Sequence, residues 1–107
     1  AAIRAGRSLY KRGVSVADII QAAATAFKVL PASIRSHDGN FHVVAARQIA
    51  VLVARRVFQF SYEQIAAQLW RHEPADIQRM FDFAEVRRSM FAEEMELTVN
   101  ALRGVHG

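Results

Sequence analysis

Few side chains in this sequence are of a type and spacing that could carry chemistry. Four histidines are present, His37, His42, His72 and His106, and there is no cysteine to complete a soft metal site. His37 and His42 are five apart, which puts them on different faces of any helix, so they read as loop histidines and not as metal ligands. The run Glu93, Glu94, Glu96 holds paired carboxylates, but no neighbour is placed to split their pKa values, so a solvated helix face is the simpler reading. Phosphate loops of the G-x-x-x-x-G-K-[ST] or G-x-G-x-x-G kind, H-E-x-x-H and G-x-S-x-G are all missing. The expectation is a protein that is not an enzyme and has no cofactor, no metal and no small-molecule substrate.

The remaining functional side chains are basic. Fourteen Lys and Arg face ten Asp and Glu, for a net charge of +4. Residues 1–12 hold Arg4, Arg7, Lys11 and Arg12 with no acid; residues 13–70 hold five basic and three acidic side chains, and residues 71–107 five and seven. The balance favours an anionic partner. The first twelve residues read either as an arm lying along phosphates or as a solvated basic tail.

The elements that must position these groups are helical. Two prolines, five glycines and 52% hydrophobic residues over 107 positions suit one small domain, and period-2 alternation is absent. Ser15 is an N-cap for a helix over 16–27, with Ile19, Ile20, Ala23, Ala24 and Phe27 on one face. Pro31 opens a short turn through Ile34, and Ser36 to Asn40 form a loop. A long helix is expected from His42 to Phe58, with Ile49, Ala50, Val53, Ala54 and Val57 on one side and Arg47 and Arg55 towards another. Ser61 and Gln64 have the form of a capping box for a helix ending near Trp70. Pro74 begins another helix to about Arg88, and a last one runs from about Phe91 to Leu102, with Gly104 as its stop. Met80, Phe81, Phe83, Met90, Phe91 and Met95 recur at a helical spacing that makes most of them core residues, with Phe58, Phe60 and Phe83 the aromatics whose exposure needs checking. The organisation is a tail over 1–12, a domain over 13–104 and a short end over 105–107.

No apolar stretch approaches the roughly 20 residues of a membrane span. The basic start lacks a signal-peptide core, so Ala1 reads as the start of an excised piece or of a short tail, and a cytoplasmic location is expected.

The helix pair 61–69 and 74–88, joined by a short link, fits both an ordinary αα-hairpin and a helix-turn-helix. The wider pattern favours the second. Residues 14–24 (VSVADIIQAAA), 46–56 (ARQIAVLVARR) and 61–69 (SYEQIAAQL) together resemble the C-terminal DNA-binding domain of the bacterial replication initiator DnaA, over about residues 13–104. The resemblance implies an all-α, compact bundle of five to six helices, Trp-repressor-like, whose helix-turn-helix binds double-stranded DNA while a basic loop reads the minor groove. It implies a bacterial cytoplasmic, nucleoid-associated protein acting in regulation of replication initiation or transcription.

Carried over residue by residue, Arg47 and Gln48 stand at the family's Arg-Gln near phosphates, Arg55 at a basic position, and Ser61 at the start of the first motif helix. The family's basic loop falls on Ser36 to Gly39, without the minor-groove arginine. Its Gly-Gly-Arg-Asp-His-[ST]-[ST] signature falls on Trp70 to Asp76, which keeps none of the base-reading side chains. Contacts are therefore expected from Arg47, Gln48, Arg55 and Ser61, with Arg71, His72, Gln78 and Arg79 presented by the motif, and with altered or relaxed specificity. Trp70 and Arg71 replace two glycines, so backbone strain of about 1 to 2 kcal/mol is expected if either takes positive φ, with Trp70 packed as an anchor. The alternative is a protein-protein interaction module that reuses this scaffold, with a protein partner in place of DNA.

Overall fold

The computed structural model describes residues 13–70 and 72–106; Arg71 and the tail residues Arg4, Arg7, Lys11 and Arg12 lie outside the described residues. Helix α1 spans Val16–Phe27. Ser15 starts it as expected, its hydroxyl accepting from the Asp18 N–H at 3.1 Å while its own N–H donates to the Asp18 carboxylate at 2.9 Å. This reciprocal pair satisfies two backbone donors that a helix start leaves orphaned. At the other end Lys28 takes φ 59° and donates to carbonyls of the last turn.

Helix α2, Pro31–Arg35, places Pro31 where its missing N–H costs nothing. After the loop 36–40, Asn40 caps α3, Phe41–Leu52, by accepting from the His42 N–H at 3.0 Å. The expected two-sided helix is instead buried almost all round: Val43, Ala45, Ala46, Arg47 and the whole run Ile49–Ala54 are inaccessible. An apolar circumference marks the central element of a bundle, and α1, α2 and α5 surround it.

Continuity of the helix to Phe58 is also corrected. From Val53 to Val57 the chain widens into one π-turn, closed by Phe58 N–H to Val53 O at 3.2 Å, and then Phe60 N–H reaches back to Ala54 O at 3.0 Å. Six consecutive apolar residues, 49–54, conceal this change of period from any pattern reading.

Helix α4, Tyr62–Ala66, is a five-residue element held by the expected capping box: Ser61 Oγ accepts from Gln64 N–H at 3.1 Å and Gln64 Oε1 accepts from Ser61 N–H at 2.8 Å. It ends earlier than Trp70 because the bonds tighten to three-residue spacing at Gln68 and Leu69. Helix α5 covers Pro74–Arg87, a 3-10 turn follows over Arg88–Phe91, and α6 runs over Ala92–His106. Gly104 does not stop α6. One glycine costs about 1 kcal/mol against alanine, too little to end a helix unless a breaker follows.

The result is an all-α bundle with no strand among the described residues. Ile19, Ile20, Ile34, Ile49, Leu52, Phe58, Ile65, Ile77 and Leu102 are fully buried and join every α-helix into one core. Phe58 is therefore core and Phe60 half-buried, whereas Phe83 stands 55% exposed.

Candidate nucleic-acid interface

Helices α4 and α5 pack against each other, and α5 lies along α3. Ile77 and Ala84 pin α5 to the core, with Met80 and Phe81 beside them. Its outer stripe is Ala75, Gln78, Arg79, Asp82, Phe83 and Val86, at the i, i+3, i+4 spacing of one helical face. In a helix-turn-helix the front of such a face meets base edges while the first helix crosses the backbone.

The front of α5 is closed on itself. Glu73 N–H donates to the Asp76 carboxylate at 2.9 Å, and the Glu73 side chain caps the Asp76 N–H in return. Asp76 also binds the Arg79 guanidinium. The hydrogen bond from Glu73, with Arg79 in support, holds the Asp76 carboxyl below the usual carboxylate range. The Asp76 carboxylate is thereby held in its charged form at the helix start.

Beside this front lies the 36–40 loop, and the structure joins the two. Trp70 N–H donates to Arg35 O at 2.8 Å, His72 Nε2 lies 3.2 Å from Ser36 O, and the His37 and His72 rings stack at 4.0 Å with 12° between planes. The carbonyl can only accept, so the Nε2 contact is made by the tautomer that carries its proton there. Burial lowers the His72 pKa, opposed by the Ser36 hydrogen bond and by Asp76 and reinforced by His37 and Arg47. The sequence places His37 in a loop and His72 among the motif's DNA contacts, with nothing to pair them. A contact across 35 positions leaves no trace in local spacing, so only the fold reveals it.

Trp70 anchors through its backbone and not through its ring, which is 55% exposed. Positive φ among non-glycine described residues occurs at Lys28 and Gln59, so Trp70 carries no such strain.

Arg47 corrects the largest expectation. It is 5% exposed, its Nε donates to Ile34 O at 2.7 Å, and one Nη donates to Ser33 O at 3.0 Å and Asp38 O at 3.1 Å. Burial pulls its pKa down, with Asp38 opposing. A guanidinium spent on three carbonyls inside the fold does not reach a phosphate; it fastens the end of α2 and the following loop onto α3.

Of the other expected positions, Gln48 is half-buried one residue on, and Arg55 is exposed. The π-turn aims Arg55 outward, its Nη1 donating to Phe60 O at 3.3 Å and its guanidinium lying 4.9 Å from the Tyr62 ring centre. Ser61 is half-buried, its oxygen engaged in the α4 cap. Gln78 and Arg79 are exposed on α5, Arg79 holding Asp76. Sequence reasoning missed Arg56, which is exposed, pairs with Glu85 and lies over the Phe81 ring at 5.8 Å. Tyr62 and Phe81 meet edge-on at 6.2 Å, so two arginines flank one aromatic pair at the entry to the motif. The Arg55-Arg56 doublet was the available signal.

Against this geometry, the profile of the bacterial dnaA protein helix-turn-helix family matches residues 16–75, more than half of the 107. The chain belongs to that family. Searches of curated proteins and of solved structures find no match. The DnaA helix-turn-helix is a DNA-binding module and not a catalytic one. The family match covers α1 to α4 and the turn, and ends at Ala75, the second residue of α5. No helix among the described residues is long and apolar enough to cross a membrane.

Proposed function

We propose that this chain is a non-catalytic, double-stranded DNA-binding protein that acts in regulation of replication initiation or transcription in the bacterial cytoplasm, with altered or relaxed sequence specificity. The observation that carries the DNA-binding reading is Arg55, exposed at the entry to the motif in a chain of the DnaA helix-turn-helix family, and the closed front of α5 carries the altered specificity. The positions that fall on the family's reading signature are occupied by a Glu73–Asp76 reciprocal cap around Pro74 and Ala75, while Arg55 stays exposed on its aromatic support. Such an interface draws affinity from phosphates, which fix orientation and release counterions but carry no sequence information. Gln48, Arg55 and Ser61 serve the backbone crossing, with Arg71, His72, Gln78 and Arg79 at the motif and Arg4, Arg7, Lys11 and Arg12 adding affinity. Arg47 supports this surface from within.

The test is an anisotropy titration of the 107-residue chain against mixed-sequence duplex at two salt concentrations, with Arg55→Ala and a variant lacking residues 1–12 alongside. Affinity should fall steeply with salt, and Arg55→Ala should lower the slope of log affinity against log salt by about one. Absence of duplex binding at low salt defeats the proposal.

A specific feature favours the alternative, a protein partner. Phe83, Val86 and Met90 are 55%, 82% and 67% exposed along the rear of α5 and the turn after it, more apolar surface than a groove-facing helix needs. Arg79, Asp82, Phe83 and Val86, the rear part of the outer stripe, line a depression of about 390 Å³.

A further inference from the structure

We propose that Gln78 is the base-reading residue of this interface and that it selects adenine in an A·T pair. The inference rests on the reading above that the front of α5 enters duplex DNA.

Only the outer stripe of α5 can face a groove, because Ile77 and Ala84 are held in the core. Within the stripe and the turn before it, most polar groups are already engaged. Glu73 and Asp76 cap each other, and Asp76 takes the Arg79 guanidinium that would otherwise present its open fork to guanine. Pro74 brings no side-chain polar atom and Ala75 only a methyl group. Asp82 is acceptor-only and lies two turns into the helix, where its charge meets phosphate repulsion.

Gln78 is different. It is exposed, it sits three residues after Ala75 on the same face, and its amide holds no partner among the described residues. The amide offers one donor and one acceptor side by side, which is the complement of adenine N7 and N6 in the major groove. Guanine presents two acceptors, N7 and O6, and would set its O6 against the Gln78 carbonyl. The Ala75 methyl, one turn nearer the helix start, leaves room for the C5-methyl of thymine at a neighbouring pair. The arrangement reads one position well and its neighbour weakly, which is the relaxed selectivity expected of a rewritten helix front.

The test is selection of bound fragments from a random-sequence duplex library by the 107-residue chain, followed by titration of the selected duplex and of versions with single pairs changed. The wild type should enrich an A·T pair at one position and lose about tenfold in affinity when that pair becomes G·C. Gln78→Ala, at an exposed helical position that alanine suits, should remain folded by circular dichroism and bind both duplexes equally, with an unchanged salt slope. Gln78→Glu should move the preference to a C·G pair by accepting from cytosine N4. If salt-dependent binding is present but Gln78→Ala keeps the wild-type preference, or the wild type has none, the assignment of Gln78 is overturned while the DNA-binding reading stands. If no duplex is bound at low salt, both are overturned.

Discussion

Arg47 and His72 show how far a residue's type is from its task. Arg47 occupies the position of a phosphate contact in the family resemblance, yet its donors go to the carbonyls of Ile34, Ser33 and Asp38. Removing a buried side chain of this kind orphans those carbonyls and leaves a void, so Arg47→Met should cost about 2 to 4 kcal/mol. Urea unfolding followed by circular dichroism would measure it, and the salt slope of duplex binding should remain that of the wild type. Loss of about one from that slope, with stability intact, would restore Arg47 to the phosphate-contacting set. The pH behaviour of His72 follows from its burial. With the folded pKa below the ordinary 6.5, the unfolded chain binds more protons just below that value. This contribution to stability is full above about pH 6.5 and is lost as pH falls through the interval down to the folded pKa. The urea midpoint should therefore drop between about pH 7.5 and pH 5.5, and His72→Gln should flatten that drop. An equal drop in the variant would assign it to other groups.

At the level of elements, the caps were legible and the interruptions were not. Ser15, Pro31, Ser61 with Gln64, and Pro74 mark helix starts because orphaned N–H groups demand particular side chains at fixed offsets, and all four are found there. The π-turn over Val53–Val57 escaped because every residue before Arg55 in that region is apolar whichever period the chain follows. The union of the 36–40 loop with the helix-turn-helix turn escaped for another reason: the Trp70 to Arg35 backbone bond, the His72 ring on the Ser36 carbonyl and the His37–His72 stack join residues about 35 apart, which no local pattern encodes. The five-residue α4 depends on its cap more than a long helix would. Ser61→Ala should lower stability by about 1 kcal/mol, read from thermal unfolding, and should also weaken duplex binding by loosening the entry to α5. A melting temperature unchanged within error would show that core contacts through Ile65 suffice.

For the molecule as a whole, charge and greasy surface are distributed between competing partners. The acids of residues 71–107 lie on α5 with its cap Glu73 and on α6, whereas the exposed Arg55 and Arg56 stand at the entry to α4. Val86→Lys separates the two readings, since the side chain is 82% exposed and its replacement should change stability by less than about 0.5 kcal/mol. Duplex affinity should hold or rise slightly with the added charge, whereas a protein docked on the Phe83, Val86, Met90 stripe would be lost, as a co-purification assay would reveal. The internal employment of Arg47 also bears on how kinship is judged. An arginine employed in holding the fold together would be kept for stability whether or not nucleic acid is bound, so an Arg-Gln pair at this place speaks for the scaffold, and the five or six side chains opening α5 are where the occupation has to be sought.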